Sequence, residues 1–324
     1  MNNPAPIAEG HAPMTSQWAF VFPGQGSQFV GMGHDLCERF SAARHVFEEA
    51  DAALGFSLSQ LCFEGPEADL TDTLNAQPAI LTMSAACLAV VQERVGDRWK
   101  PSLVAGHSLG EYTALWAAGA LDFASACRLV RERGRLMKQA GEHQPGAMAA
   151  VLGMQTGPLR EVCAQVGDVW VANDNSPGQV VISGRKGALE RVLQLAKGRG
   201  AKRAIPLAVS IASHSPLMAS AAESLAVTIG KLTLAPAVPP VVANVTAAPM
   251  TEPADIRLEL VRQLTSPVRW VESVQYMIAQ GVRSFVEIGP KNVLSRLINQ
   301  IDASVQTLSV GAVADIEALV ASRL

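Results

Sequence analysis

The sequence predicts an α/β fold: a parallel sheet in a larger domain, interrupted by a small α+β subdomain of ferredoxin-like type. Two short apolar runs, 18–22 (WAFVF) and 102–106 (SLVAG), end at glycine-containing turns and are typical of buried strands. A helical pattern begins directly after the second run, from Leu109. Strands that alternate with helices through 18–140 indicate βαβ units, which form parallel sheets.

The pattern changes near residue 141, where strand-like segments become closely spaced. Strands are predicted at 146–154 and 179–183, a helix at 186–198, and a further apolar alternation at 203–211. Two strand-rich pieces around helices, within about 70 residues, indicate the ferredoxin-like insertion. The α/β pattern resumes from 212 and includes a late strand at 284–288 (SFVEI).

These patterns divide the chain into four parts. Residues 1–16 lack both the basic start and the apolar stretch of a signal peptide, so they are expected to be a disordered tail instead. Residues 17–140 and 208–312 are expected to form the larger α/β domain. Residues 141–207 form the inserted subdomain, and residues 313–324 a C-terminal helix.

Composition excludes several classes of protein. Of the 324 residues, 49% are hydrophobic. This excludes disorder for the bulk of the chain, because too much apolar surface would be exposed to water. Lys and Arg number 26 against 29 Asp and Glu, which gives a net charge of -3 and leaves no cationic face for nucleic acid. Aromatic residues make up 5%, too few for a base-stacking platform.

No segment is predicted to span a membrane, and no metal site is expected. The longest uncharged stretches, 73–92 and 232–251, each contain proline and polar residues. The cysteines are scattered without a CxxC pair, at positions Cys37, Cys62, Cys87, Cys127 and Cys163. Such cysteines are typical of reduced thiols in a cytoplasmic protein rather than of a zinc site.

A candidate nucleophile lies at Ser108. Residues 106–110 read Gly-His-Ser-Leu-Gly, a GxSxG motif between a predicted strand and a predicted helix. In that context the glycines allow a strained turn that exposes the serine hydroxyl, and the unpaired N–H groups of the next helix stabilise an oxyanion. A chance GxSxG in a turn is the alternative, because the chain contains 26 glycines.

A nucleophilic hydroxyl needs a base, and His214 is the strongest candidate among the six histidines. It follows the apolar alternation of Leu207, Val209 and Ile211. It lies in Ser213-His214-Ser215-Pro216, a predicted strand-to-loop exit of the kind where catalytic groups commonly occur. His107 is the sequence neighbour of Ser108, so its side chain is expected to point away from the hydroxyl. A hydrogen-bonded structural histidine is the alternative for His214.

An arginine falls on the apolar face of a predicted helix. Residues 124–140 have apolar side chains at spacings of three and four, and Arg133 lies on that stripe between Leu129 and Leu136. A buried guanidinium is costly without an anionic partner, and its fork geometry suits a carboxylate. The sequence therefore indicates a substrate carboxylate, with a structural ion pair or a snorkelling side chain as the alternatives.

Two further signals are weaker than they look. Residues 22–28 (FPGQGSQ) resemble a phosphate-binding loop, but Phe29 stands where the third glycine should be and no Walker lysine follows. A backbone turn near a reacting oxygen is the better interpretation. Asp174 is a possible acid to orient His214, although the surrounding NDNSPG stretch favours a turn.

Taken together, the motifs are similar to those of malonyl-CoA:acyl-carrier-protein transacylases and of polyketide synthase acyltransferase domains. The resemblance runs in the same order from residue 18 to residue 310. It rests on FPGQGSQ at 22–28, GHSLGEY at 106–112, RERG around Arg133, VVISG at 180–184, SH at 213–214 and QLTSPVRW at 263–270. It implies an α/β-hydrolase-like core interrupted by a ferredoxin-like subdomain, without a metal or redox cofactor.

The resemblance also implies a reaction and residues to perform it. A malonyl group passes from malonyl-CoA to the phosphopantetheine thiol of an acyl carrier protein through a malonyl-serine ester, in fatty-acid or polyketide biosynthesis. Ser108 is expected to be the nucleophile and His214 its base. The backbone N–H groups of Gln25 and Leu109 are expected to form the oxyanion hole.

Two more roles follow from the same resemblance. Arg133 is expected to bind the free carboxylate of the malonyl group. The main-chain carbonyl of Gln263 is expected to orient His214, which removes the need for an acid such as Asp174.

Other functions stay open on the sequence. An acyl hydrolase that clears carrier proteins shares the serine and histidine but has no need of Arg133, and an inactive carrier-docking subunit is expected to have lost at least one of these residues. Ser213, beside Ala212, leaves room for a branched group such as methylmalonyl. Fatty-acid transacylases similar to this chain also carry serine there.

The surface that meets the carrier is expected to be basic, because carrier proteins are acidic. Cations in or near the insertion that would supply it are Arg185, Lys186, Lys197, Arg199, Lys202 and Arg203. A solvated helix face is the alternative. The resemblance favours a monomer.

Overall fold

The computed structural model describes residues 17–96, 99–207, 209 and 211–321. The strands are β1 (Gln17–Phe22), β2 (Leu103–Gly106), β3 (Ala147–Leu152), β4 (Val169–Ser176), β5 (Gln179–Gly184), β6 (Arg203–Pro206), β7 (Val241–Val242), β8 (Pro249–Met250), β9 (Val282–Ile288) and β10 (Gln306–Val310). The predicted tail, 1–16, lies outside the described residues, as do 322–324 of the predicted C-terminal helix.

Helices occupy most of the remaining chain. They are α1 (His34–Arg39), α2 (Ser41–Leu54), α3 (Leu58–Glu64), α4 (Glu67–Thr71), α5 (Thr73–Val95), α6 (Gly110–Ala117), α7 (Phe123–His143), α8 (Thr156–Val166), α9 (Lys186–Gly198), α10 (Ala219–Gly230), α11 (Pro253–Arg262), α12 (Trp270–Ala279), α13 (Val293–Ile301) and α14 (Val313–Ala321). Helix α7 contains the predicted amphipathic segment 124–140, and α9 matches the predicted helix 186–198.

The larger sheet has six strands in the order β10-β9-β1-β2-β7-β8. Strands β10, β9, β1, β2 and β7 pair in parallel, and β8 is antiparallel to β7. The central strand β1 is buried from Ala19 to Phe22, as its uninterrupted apolar run requires. The prediction of a mixed α/β fold with a parallel sheet is therefore confirmed.

The second sheet has four antiparallel strands in the order β4-β5-β3-β6. Its strands and helices follow one another as β3-α8-β4-β5-α9-β6. Apolar side chains from one face of α8 and α9, such as Leu159 and Val192, pack on this sheet and form a core separate from that of the larger sheet. The small α+β unit thus has its own apolar centre.

Two local predictions for this unit are wrong. Among the described residues of the alternation at 203–211, Arg203–Pro206 form strand β6, and residues 207, 209 and 211 lie outside it. The pairing partner of β6 is β3, which begins at Ala147. One further hydrogen bond, from Leu207 N to Met148 O, therefore reaches almost to the end of β3. The NDNSPG stretch lies largely in β4 rather than in a turn, and two register shifts accommodate its polar residues.

Helix α5 fills the space between α2 and α7. Among the described residues it is the one helix long and apolar enough to cross a membrane, and most of that apolar length is buried inside the protein. All five cysteines are buried free thiols.

Candidate active site

Ser108 lies in a sharp turn between β2 and α6, with a positive φ of 52° that is strained for a residue other than glycine. The glycines on either side make this turn possible. A Cβ on Gly106 would lie 1.9 Å from the carbonyl of Gly110, and a Cβ on Gly110 would lie 2.0 Å from the carbonyl oxygen of Phe22. The GxSxG spacing therefore reflects close backbone packing, not chance.

Asn244 holds the turn in place. Its Oδ1 accepts from the backbone N–H of Ser108 (2.7 Å), and its Nδ2 donates to the carbonyl of Gly106 (2.7 Å). Asn244 is buried and follows β7, the strand beside β2. The side chain thus fixes the backbone on both sides of His107.

His214 contacts the hydroxyl of Ser108, with 2.8 Å between Ser108 Oγ and His214 Nε2. On the other side of the ring, Nδ1 lies 2.8 Å from the main-chain oxygen of Gln263. Because a carbonyl oxygen only accepts, Nδ1 carries the hydrogen and Nε2 is free to accept from the serine. This is the tautomer that a general base needs.

The backbone around His214 differs from the expectation. It is not a direct strand exit, since β6 ends eight positions earlier, and His214 lies in a turn with φ 59°. Asp174 does not contact the ring: it lies in β4 and accepts from Thr156 Oγ1 (2.7 Å). The carbonyl of Gln263 occupies the place that an acid would take.

Electrostatics keep His214 neutral. Burial, followed by the nearby charge of Arg133, lowers the pKa of His214 to about 3. The imidazole is therefore uncharged at neutral pH and ready to accept a proton from Ser108.

Arg133 is almost wholly buried on the apolar face of α7, 1% exposed. Its guanidinium donates from Nη1 to Gln77 Oε1 (2.7 Å) and from Nη2 to Gln263 Oε1 (3.0 Å). It also lies over the ring of Tyr112, 5.3 Å from the centroid. In the described part of the chain no carboxylate lies within ion-pair distance of it. A buried cation held by neutral amides retains its capacity to bind an anion.

Gln25 and Leu109 both lie close to Ser108 at the elbow, the turn formed by residues 106–110. The loop that carries Gln25 presses on the turn so closely that a Cβ on Gly24 would lie 2.4 Å from the carbonyl oxygen of His107. Leu109 caps the N-terminus of α6 and is buried. Backbone N–H groups at a helix start favour negative charge.

A chain of side-chain hydrogen bonds connects the Gln25 loop to Arg133. Thr73 donates from Oγ1 to Gln25 Oε1 (2.9 Å), and Gln77 donates from Nε2 to Thr73 Oγ1 (3.0 Å). Gln77 in turn accepts from Arg133. The loop and the guanidinium are thus positioned together by the start of α5.

Sequence reasoning missed Asn244, Gln77 and Glu111. Gln77 is a polar side chain in an apolar helix, the same signal that singled out Arg133. Glu111 lies within the GHSLGEY segment, is fully buried, and accepts from Gln263 Nε2. Asn244 offered no pattern, since its partners lie more than 130 positions away in sequence.

A cleft of about 430 Å³ opens beside His214. Its walls come from α8, the start of β4 and the segment around Thr265, and include Arg160, Trp170 and Pro267. Among the residues the structure describes, no group of three or more His, Cys, Asp or Glu side chains is arranged to hold a metal ion.

Known proteins match nearly the whole chain. The model of the acyl transferase domain family matches residues 19–316. The malonyl CoA-acyl carrier protein transacylase of Bacillus subtilis (strain 168) is 49% identical over 299 residues, which cover 91% of this chain and 93% of that protein.

Solved structures match as well. An acyl carrier protein S-malonyltransferase from Vibrio cholerae has a TM-score of 0.91 at 45% identity, over 94% of this chain and 100% of that one. A malonyl-transacylase in complex with a type II PKS acyl-carrier protein has a TM-score of 0.92 at 43% identity, over 95% and 100%. The matched region contains Ser108, Arg133 and His214.

Proposed function

The chain belongs to the acyl transferase family, and from that premise we propose how its residues carry out malonyl transfer. It is a malonyltransferase that moves the malonyl group of malonyl-CoA to the phosphopantetheine thiol of an acyl carrier protein, in fatty-acid or polyketide biosynthesis. The observation that carries the assignment of residues is the contact of Ser108 Oγ with both His214 Nε2 and Arg133 Nη2.

The first half-reaction loads the serine. Ser108 Oγ attacks the thioester carbonyl of malonyl-CoA while its proton passes to His214 Nε2. When the tetrahedral intermediate collapses, the C–S bond breaks and the imidazolium returns its proton to the CoA thiolate. The product is a malonyl ester on Ser108.

The second half-reaction reverses these steps with a different thiol. His214 takes the proton of the phosphopantetheine thiol, and the sulfur attacks the ester carbonyl. The C–O bond to Ser108 breaks and the serine oxygen recovers its proton from His214. Each proton that leaves a reactant is returned to a product, so no metal or redox cofactor is needed.

The oxyanion formed in both halves is proposed to lie on the backbone N–H groups of Gln25 and Leu109. The close packing of the Gln25 loop on the elbow and the position of Leu109 at the start of α6 support this. Preorganised N–H donors at such a position stabilise charge that develops in the transition state.

Arg133 is proposed to bind the free carboxylate of the malonyl group. Its guanidinium touches Ser108 Oγ, so a carboxylate on it places the acyl carbonyl of a three-carbon diacid near the nucleophile. The neutral amides of Gln77 and Gln263 hold the guanidinium without neutralising it. A hydrolase of neutral acyl groups has no use for this buried charge.

The architecture is proposed to be an α/β-hydrolase-like domain, 17–140 and 208–312, with a ferredoxin-like subdomain at 141–207 and a C-terminal helix from 313. The strand order and β-α-β-β-α-β succession of the second sheet support the ferredoxin-like description. The parallel order around β1 and the serine turn after β2 support the hydrolase-like description.

The carrier protein is proposed to dock on basic residues of the small subdomain. All six side chains are exposed, namely Arg185, Lys186, Lys197, Arg199, Lys202 and Arg203. Arg185 also forms an ion pair with Asp168 (3.7 Å), so the other five carry most of the unpaired charge. A cytoplasmic monomer is the proposed state, and the free buried thiols support the compartment.

Intact-protein mass spectrometry tests the proposal. The chain is mixed separately with malonyl-CoA, methylmalonyl-CoA and acetyl-CoA, with Ser108→Ala as control. A malonyl adduct that is absent in the variant is expected, together with a much smaller adduct from acetyl-CoA. Release of free acid from acyl-carrier substrates without any adduct contradicts transfer and indicates a hydrolase.

A further inference from the structure

Two glutamates lie together beneath the site, where no step of the transfer reaction uses them. Glu111 on α6 is fully buried and Glu259 on α11 is 4% exposed. The two carboxyl groups lie side by side, because Glu111 accepts from the backbone N–H of Asn244 and Glu259 from that of the next residue, Val245. Two buried acidic side chains so close together are unfavourable unless one is protonated or hydrogen bonds from their surroundings stabilise them.

Glu111 contacts both of the residues that hold the reacting side chains. Its Oε1 accepts from the backbone N–H of Asn244 (2.8 Å), and its Oε2 accepts from the side-chain amide of Gln263. Asn244 holds the backbone of Ser108, and the carbonyl of Gln263 holds His214. Glu259 supports the same segment through the backbone N–H of Val245 (2.8 Å).

We propose that Glu111 and Glu259 are positioning residues, a carboxyl pair that shares one proton and fixes Asn244 and Gln263, and through them the contact between Ser108 and His214. The proposal rests on the function proposed above and adds residues that the reaction requires without touching substrate. The same Gln263 amide also donates to the carbonyl of Ser108 (2.9 Å). One anchored residue therefore reaches the nucleophile and Arg133 through its side chain and the base through its backbone carbonyl.

The shared proton follows from the surroundings. Two ionised carboxylates side by side repel each other strongly where water is excluded, since their charges are poorly screened, so one proton between them is favoured. Besides Glu259, Arg133 is the titratable group that acts on Glu111, and Arg262 acts on Glu259. The charge of Glu111 in turn acts on the phenol of Tyr112. Burial raises the pKa of both glutamates, and the charge of Glu259 raises that of Glu111 further.

The pattern of hydrogen bonds makes the two positions unequal. Both oxygens of Glu111 accept from N–H groups, so an amide at 111 must bring its NH₂ against one of those donors. Glu259 accepts from Val245 at Oε1. An amide at 259 therefore keeps its oxygen on that N–H and offers its NH₂ to Glu111, in place of the shared proton.

The experiment compares Glu111→Gln, Glu259→Gln and the matched control Glu287→Gln. Glu287 is an equally buried glutamate on β9, and it accepts from the backbone N–H groups of Leu294 and Ser295 rather than from residues that hold Ser108 or His214. For folded protein, kcat and KM for malonyl-CoA are measured together with the rate at which a fluorophosphonate labels Ser108. Labelling reports the serine–histidine contact and needs no malonyl carboxylate.

Glu111→Gln is expected to lower kcat and the labelling rate about 100-fold, as a misplaced catalytic group does. Glu287→Gln is expected to keep both rates, and Glu259→Gln, whose amide replaces the shared proton, is expected to lose much less than Glu111→Gln. Unchanged rates in Glu111→Gln, or equal losses in all three variants, overturn the proposal. If Glu111→Gln does not fold, Glu259→Gln is compared with Glu259→Ala: labelling retained only by the amide supports the pair, and equal labelling rates overturn it.

Adduct formation by the unsubstituted chain distinguishes a failure of this inference from a failure of the proposed function. A parent that forms no malonyl-Ser108 adduct contradicts the proposed function itself. A parent that forms the adduct, with Glu111→Gln equally active, contradicts the positioning role alone.

Discussion

Arg133 donates from Nη2 to the Oγ of Ser108 across 3.1 Å, so a buried cation touches the nucleophilic oxygen itself. The same oxygen lies 2.8 Å from His214 Nε2. In the free protein the guanidinium donates a hydrogen bond to the serine, and its charge adds to burial in lowering the pKa of the histidine. In the proposed reaction, a malonyl carboxylate bound to the guanidinium would offset its positive charge. His214 would then be a stronger base with malonyl than with an acyl group that has no carboxylate.

Arg133→Ala is expected to lower kcat/KM for malonyl-CoA about 10- to 100-fold, the effect of one or two charge-assisted hydrogen bonds. Acetyl-CoA, which has no free carboxylate, is expected to lose much less. The measurement is the ratio of the two kcat/KM values in parent and variant. An equal loss on both substrates would show that Arg133 supports the site without reading the carboxylate.

Gly106→Ala and Gly110→Ala are expected to abolish soluble folded protein, because each added methyl group would lie about 2 Å from backbone atoms. Circular dichroism and gel filtration of the purified variants are the measurements. Gly157→Ala and Gly187→Ala serve as controls: both glycines lie in helices with open space around the new Cβ, and a gain of up to about 1 kcal/mol in unfolding free energy is expected. Normal folding of Gly106→Ala would contradict the tight elbow.

Much of the fold was predictable because its signals are local. The apolar run of β1 and the pattern of α9 lie within single elements, and their bounds match within a residue or two. The polar sequence of β4 hides a strand, since Asn and Asp disfavour strands and register shifts are needed to hold them. The end of β6 depends on where β3 begins, which no local pattern records.

The site divides in the same way. Ser108 and Arg133 stand out locally, by a motif and by a charge on an apolar stripe. The structure brings Ser108 into contact with His214, and Arg133 into contact with Gln263. The supporting contacts of Asn244 join positions 136 and 138 apart, so they arise only from the packing of β7 beside β2.

Asn244→Ala is expected to lower the free energy of unfolding by about 1–3 kcal/mol, because the buried N–H of Ser108 and carbonyl of Gly106 both lose their partner. Activity of the folded fraction is also expected to fall, since the serine turn is strained and needs that support. Asn75→Ala, whose side chain bonds one exposed carbonyl, is the control. Urea unfolding and fluorophosphonate labelling of Ser108 measure the two effects, and an active, equally stable Asn244→Ala would contradict them.

The buried, neutral state of His214 makes stability depend on pH. Its pKa is lowered to about 3, whereas an unfolded histidine titrates near 6.5. Between those values the unfolded chain binds a proton at this position and the folded chain does not, so the free energy of unfolding falls as the pH is lowered. The loss from this residue is expected to be about 2 kcal/mol between pH 7 and pH 5.

Urea unfolding of the parent and of His214→Gln at pH 7 and pH 5 measures this contribution. Any cost of the substitution itself is present at both pH values and cancels in the difference. The raised pKa values of Glu111 and Glu259 act in the opposite direction, since those groups bind protons more readily when folded, but they are common to both proteins. The parent is expected to lose more stability than the variant on acidification. The same loss in both proteins would mean that the pKa of His214 in the folded protein lies near that of an unfolded histidine, which contradicts the lowered pKa.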